Sequence, residues 1–185
     1  LFMVDDAHGF GCIGPGGAGS VAAAGLTQTD VPVYMATLGK AIGVAGAFVA
    51  GSKELISYLR QFARGYVYST AIAPAQAAAV VAALDCLRDE PWRQIKLQDN
   101  IDYFRQCAAQ CSLPVAESVT AIQWLALHDD ASCLIVAKQL AEKGVLVGAV
   151  RRPTVPSPRL RITLSAAHSH TDIDQLINAL AECAE

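Results

Sequence analysis

Three local features of the sequence carry groups able to do chemistry together. Asp5 and His8 stand at the end of an apolar run, Lys40 lies in the glycine-bounded segment Leu38-Gly39-Lys40-Ala41-Ile42-Gly43, and hydroxyls at Thr37, Ser69 and Thr70 lie nearby in the chain. A lysine amine can form a Schiff base with an aldehyde, and a carboxylate can keep a pyridine nitrogen protonated so that the ring withdraws electrons from a carbanion. Those are the requirements of pyridoxal 5'-phosphate (PLP) chemistry. A buried Asp5 beside a pyridinium would make a charge-assisted hydrogen bond that favours both charged forms. A turn between buried strands would hold Lys40 partly desolvated and supply it as the free amine.

Each feature alone has a plainer reading. A lysine in a glycine turn is ordinarily a solvated surface residue, and Asp5-Asp6-Ala7-His8 serves equally well as a helix cap or a turn. The stretch Gly14-Pro15-Gly16-Gly17-Ala18-Gly19 lacks the following apolar helix of a dinucleotide loop. Tyr34 stands where a phosphate-loop pattern ending at Lys40 would need glycine. The cysteines at 12, 86, 107, 111, 133 and 183 form no CxxC pair and no Cys/His ligand spacing, so they read as reduced thiols and no metal is expected. Cys107 and Cys111, one helical turn apart, suit an apolar helix face.

The elements that must position these groups come from the apolar pattern. Leu1 to Asp5 reads as a buried strand already under way with no preceding cap, which suggests a fragment or a subunit lacking an upstream half. Val33 to Thr37 and Ala45 to Gly51 read as two further buried strands flanking the lysine turn. Lys53 to Ala63 has helical spacing, with Leu55, Tyr58, Leu59 and Phe62 on one side. Pro74 can open an alanine-rich helix to Leu87, suited to packing on another chain, and a second helix runs from Trp92 to Cys111. Beyond it the pattern alternates: strand Ile122 to Leu127, helix Ala131 to Lys143 stopped by Gly144, strands Val145 to Val150 and Leu160 to Leu164, and a final helix from Thr171 capped by its Thr-Asp-Ile-Asp start. The fold class is therefore α/β, with a smaller α+β unit beginning near Trp92.

Composition narrows the partners. Of the 185 residues 53% are hydrophobic and 17% charged, with a net charge of -3, which leaves no electrostatic footprint for nucleic acid. The apolar runs are interrupted before about 18 residues, so no membrane span is expected, and the amino end does not have the form of a signal peptide.

Four ordered landmarks resemble a known family: VDDAHGFGCIG at 4–14, TLGKAIGVAGAFVAG at 37–51, QFARGYVYSTAIAPAQA at 61–77 and RRPTVPSPRLRITLSAAH at 151–168. Their order and spacing resemble the α-oxoamine synthases, fold-type I PLP enzymes that decarboxylatively join an amino acid to an acyl-CoA. The likeness runs along essentially the whole chain and about the second half of a typical member. It implies that residues 1–91 form the later part of the PLP-binding large domain and 92–185 a small α+β C-terminal domain. It implies further that Lys40 forms the Schiff base and removes the α-proton, that Asp5 pairs with the pyridine nitrogen, that His8 bonds the phenolic oxygen, and that Thr37 contacts the phosphate. Ser69 and Thr70 resemble the hydroxyl pair that reaches a neighbouring subunit's phosphate, which implies a homodimer with its site at the interface. Arg161 matches the residue gripping the amino-acid carboxylate, and Thr154 a substrate-contacting threonine. Arg159 and Arg161 share a strand face, so family position and not spacing selects Arg161.

Within the family, PTVP followed by RLRITLSAAH resembles the branch that condenses L-alanine with pimeloyl-CoA, or a pimeloyl carrier protein, in biotin synthesis. The runner-up is the branch that joins glycine to acetyl-CoA, and a third reading is an inactive half or partner subunit. The likeness implies a cytoplasmic enzyme. Arg152, where proline is usual, and Ala71-Ile72-Ala73 depart from the family pattern.

Overall fold

The first apolar run and the strand that precedes Lys40 lie side by side in a computed structural model that describes residues 2–183. β1 (Met3–Asp5) pairs in parallel with β2 (Val33–Thr37), with Asp5 opposite Met35, and β2 pairs antiparallel with β3 (Ala47–Gly51). Leu1 of the expected first strand lies outside the described residues. The strand expected from Ala45 begins at Ala47, because Val44 and Gly46 are used to close the turn: Val44 N donates to Leu38 O and Leu38 N to Gly46 O, each at 2.8 Å. β3 is not the buried strand expected. Among the described residues it pairs on one side only, and three of its five residues are exposed.

After β1 a loop carries a single 3-10 turn, Pro15–Gly17, and the short helix α1 (Ser20–Ala23). Helices α2 (Lys53–Phe62), α3 (Arg64–Val67) and α4 (Pro74–Asp89) come after β3. Ser52 caps α2, its hydroxyl accepting from Leu55 N at 3.2 Å, and Pro74 opens α4 at a position where the missing N–H would have no partner. Leu55 and Leu59 of the expected α2 stripe are half-buried, whereas Tyr58 and Phe62 stack on each other in the open with centroids 4.7 Å apart.

The chain divides into two compact units, the first ending at Gln94 and the second beginning at Ile95. The second is built on an antiparallel sheet of order β4 (Ile122–Ala126), β6 (Arg159–Thr163), β5 (Gly148–Val150). Its helices are α5 (Trp92–Gln110), which starts just before the division, α6 (Asp130–Glu142) and α7 (His170–Cys183). α5 buries Leu97, Ile101, Phe104 and Ala108, and α7 buries Ile173, Leu176, Ile177 and Leu180; both sets have the spacing of one helical stripe. Leu160 and Ile162 alternate inward along β6, with Arg161 and Thr163 outward.

Caps explain where these helices end. Gly144, at φ +80°, lets Val145 N reach Leu140 O and its own N–H reach Ala141 O, the Schellman closure of α6. Val145 is thereby spent on the helix, so the strand expected from it starts only at Gly148. The cap of α7 is Ser169 rather than the Thr-Asp-Ile-Asp stretch: Asp172 N donates to Ser169 Oγ at 3.2 Å and Ser169 N to Asp172 Oδ2 at 2.8 Å, a reciprocal capping box. Cys111 falls past the end of α5 and is exposed, so it shares no apolar face with Cys107.

Phe104 is fully buried and Ile95, on the same helix, is 71% exposed. Phe104→Ala should therefore cost about 3–5 kcal/mol of unfolding free energy and Ile95→Ala less than about 0.5 kcal/mol. Urea denaturation followed by circular dichroism checks the pair.

Candidate functional site

Parallel pairing carries the C-terminal ends of β1 and β2 to the same edge of the first sheet, the edge at which open α/β sheets bind ligands. Because Asp5 pairs with Met35 and side chains alternate along a strand, Asp5 and Thr37 project from the same face. Beyond Asp5 the chain turns at once: Asp5 Oδ1 accepts from Ala7 N at 3.0 Å, and the carbonyl of Asp6 accepts from Gly9 N and Phe10 N, both at 3.0 Å. That turn carries His8.

Beyond Thr37 the loop from Leu38 to Gly46 closes on itself and carries Lys40, with Gly43 N donating to Lys40 O at 2.9 Å. The two turns meet. Lys40 Nζ lies 3.1 Å from His8 Nε2, although 32 residues separate them in the chain. A methyl on Gly11 would stand 2.6 Å from the Cβ of Ala41, so the glycine loop presses directly on the lysine turn. Phe10 extends the contact to β3, edge-on to Phe48 with centroids 5.2 Å apart.

Two expectations about burial are corrected. Asp5 is exposed, and the buried acid is its neighbour Asp6, with 4% of its surface accessible. The reason is strand geometry: consecutive side chains point oppositely, and Asp6 faces long-range donors, the Ser20 amide at 2.8 Å and the Tyr34 phenol at 2.7 Å, where Asp5 meets only the amide of Ala7 in its own turn. Lys40 is also exposed, because its loop stands beyond the sheet edge beside the open strand β3.

Thr37 bears on whether the residues fit an anionic cofactor. Its hydroxyl oxygen is buried and has no hydrogen-bond partner among the described residues. A buried unpaired polar group costs about 1–3 kcal/mol, so a phosphate oxygen accepting from it would remove a penalty already present. An amine, an imidazole, a carboxylate and this orphaned hydroxyl at one sheet edge are the set that PLP needs.

The other expected residues are not joined to this set. Ser69 and Thr70 are exposed after α3; the Ser69 hydroxyl donates to Gly65 O, and among the described residues no hydrogen bond joins either to Asp5, Thr37 or Lys40. Thr154 and Arg161 belong to the second unit, Thr154 in an exposed turn and Arg161 on the outward face of β6. The structure does separate the two arginines that the strand period left equivalent. The Arg159 guanidinium lies 4.3 Å over the Trp124 ring and bonds Ser157 through both its carbonyl and its hydroxyl. The Arg161 side chain has no hydrogen bond or ion pair among the described residues, so of the two guanidinium groups it is the one available to a carboxylate.

Sequence reasoning missed Asp6 and Tyr34. The doubled acid of Asp5-Asp6 was the available signal, since one of two adjacent strand-end carboxylates must turn away from the ligand face. Burial first, and then the Asp6 carboxylate, push the Tyr34 phenol well above the ordinary tyrosine value. Burial, with a smaller contribution from Asp6, likewise raises the Cys12 thiol.

Known proteins resemble this chain in sequence and in fold. The family model for aminotransferase class I and II matches residues 1–180. An 8-amino-7-oxononanoate synthase of Saccharophagus degradans is 54% identical over 182 residues, covering 97% of this chain and 46% of the relative. The crystal structure of 8-amino-7-oxononanoate synthase from Francisella tularensis superposes with a TM-score of 0.88 at 28% identity, over 97% of this chain and 53% of that one. An SPT variant solved with PLP has a TM-score of 0.90 at 22% identity, over 98% and 47%, which is a likeness of fold. The chain spans about half the length of the curated relatives it matches.

A phenol held protonated by burial and by a carboxylate has a folded pKa above the unfolded value of about 10. The stability it contributes is whole below about pH 10 and is lost as pH rises through the folded value. Spectrophotometric titration of the five tyrosines should accordingly lose one late-ionising group in Tyr34→Phe, with the early part of the curve unchanged.

Proposed function

For a chain that belongs to the aminotransferase class I and II family, we propose the role of the lysine-bearing part of a PLP-dependent acyltransferase. Its reaction is the condensation of L-alanine with a pimeloyl thioester to 8-amino-7-oxononanoate, with release of carbon dioxide and of coenzyme A or a carrier protein, in biotin synthesis. The observation that carries this reading is the 3.1 Å approach of Lys40 Nζ to His8 Nε2 at the edge where β1 and β2 end. The name shared by the curated relatives, at 51–54% identity, supports the choice of substrates.

PLP, when bound, supplies an electron sink for negative charge at the amino acid's α-carbon. The residues of this chain supply the rest. Lys40 Nζ would hold the cofactor's aldehyde carbon and, as a free amine, would serve as the general base for the substrate's α-proton. The Asp5 carboxylate would hold the pyridine nitrogen and keep it protonated. His8 would hold the phenolic oxygen, and the orphaned hydroxyl of Thr37 would hold the phosphate. Arg161 grips the alanine carboxylate in a bidentate pair, and Thr154 contacts the substrate.

Residues 1–91 are read as the later part of the cofactor domain and 92–185 as the small C-terminal domain. A homodimer is part of the proposal, with Ser69 and Thr70 reaching the partner's phosphate. Tyr58, Phe62, Tyr66, Tyr68 and Ile72 support it, being 54–80% exposed around that segment, a group of large side chains that a partner's surface would cover. Among the described residues no helix is long and apolar enough to cross a membrane. A coenzyme A thioester as substrate is the reason to place the enzyme in the cytoplasm.

Borohydride reduction of the PLP-loaded protein should leave the cofactor on the peptide containing Lys40, read by mass spectrometry. Lys40→Ala should abolish both the label and turnover. A label on another lysine contradicts the assignment, and faster turnover of glycine with acetyl-CoA than of alanine with pimeloyl-CoA contradicts the substrate choice.

Arg161→Lys should raise KM for alanine roughly tenfold by removing the bidentate fork. Arg159→Lys should leave it near wild type. Steady-state kinetics with alanine varied distinguishes the two.

A further inference from the structure

We propose that Asp6 is the positioning residue of the cofactor site: its buried carboxylate clamps the glycine loop against the strand ends and so holds the His8 turn on the Lys40 turn. The inference rests on the PLP reading and adds a residue to which that reading gives no part.

Asp6 sits between the two groups assigned to the cofactor ring, yet it points away from them. One carboxylate oxygen accepts from Ser20 N at 2.8 Å and from the Tyr34 phenol at 2.7 Å, and the other accepts from the Ser20 hydroxyl. These donors come from separate places, the start of α1 and the first half of β2, lying 14 and 28 residues along the chain. A carboxylate buried to 4% accessibility and given three donors is a strong, directional tie.

The backbone of the same residue continues the clamp. Asp6 N donates to Met35 O at 2.8 Å, extending the β1–β2 ladder one residue, and Asp6 O accepts from Gly9 N and Phe10 N to form the His8 turn. The glycines around it leave no slack. A methyl on Gly9 would lie 2.1 Å from Asp6 Oδ1, and one on Gly19 would lie 2.0 Å from Asp6 Oδ2 and 2.4 Å from the Tyr34 hydroxyl. The loop thus closes onto the carboxylate at both ends, and its middle, at Gly11, bears on Ala41 beside the lysine. With Asp6 in place the loop has one seating; with its charge removed, the Ser20 and Tyr34 donors face an amide that can satisfy only part of them.

The test compares the PLP-loaded wild-type protein with Asp6→Asn, Ser20→Ala and Tyr34→Phe. Cofactor titration is followed by visible absorption and visible circular dichroism, with thermal unfolding of the loaded proteins recorded in parallel. Asp6→Asn should bind PLP roughly tenfold more weakly, the consequence of one lost charge-assisted hydrogen bond, and should show an altered visible dichroism at saturation. Ser20→Ala and Tyr34→Phe should shift both readouts the same way by less, and they decide the matter if Asp6→Asn does not fold. A lowered Tm with wild-type PLP affinity and wild-type dichroism in these variants would overturn the proposal, because that is the signature of a merely structural carboxylate. If the wild type itself acquires no visible band that Lys40→Ala lacks, the PLP reading fails and this inference fails with it.

Discussion

Parallel pairing of two short strands is the constraint on which the rest depends. With Asp5 opposite Met35, both strands run out at the same sheet edge, and the segments leaving them are delivered to one place. The segment leaving β1 is a turn bearing an imidazole, and the segment leaving β2 is a closed loop bearing an amine. Slipping the register by one residue would turn Asp5 to the opposite face from Thr37. The hydrogen bond from Asp6 N to Met35 O and the ladder of β2 with β3 resist that slip.

A site made this way separates two tasks often met by a single group. The groups assigned to the ligand, Asp5, His8 and Lys40, are exposed, while the group proposed to organise them, Asp6, is buried and hydrogen-bonded through both carboxylate oxygens. Exposure suits groups that must exchange partners with cofactor and substrate. Burial suits a carboxylate whose value lies in holding one geometry, because a hydrogen bond to a charged acceptor is stronger where water cannot compete. Thr37 stands between the two, with a buried hydroxyl still lacking an acceptor.

Much of this is legible in the residues. The strand Val33–Thr37 has the bounds its apolar run predicts, and the lysine turn comes from apolar runs interrupted by glycine. Long-range partners are not legible. Which acid of Asp5-Asp6 is buried depends on Ser20 and Tyr34; the helix at Ser20 is too short to show a period; and Val145 looks like strand until its amide is seen to close α6. Arg159 and Arg161 are equivalent by strand period, and the ring of Trp124 on the neighbouring strand, with the bonds to Ser157, tells them apart.

The central claim is that Lys40 and Asp5 act on opposite ends of one pyridine ring. A crystal structure of the protein with PLP tests it directly. It should show Lys40 Nζ bonded to the cofactor's aldehyde carbon and an Asp5 carboxylate oxygen about 2.8 Å from the ring nitrogen. A ring nitrogen facing solvent, or a cofactor bound through any other lysine, would contradict it.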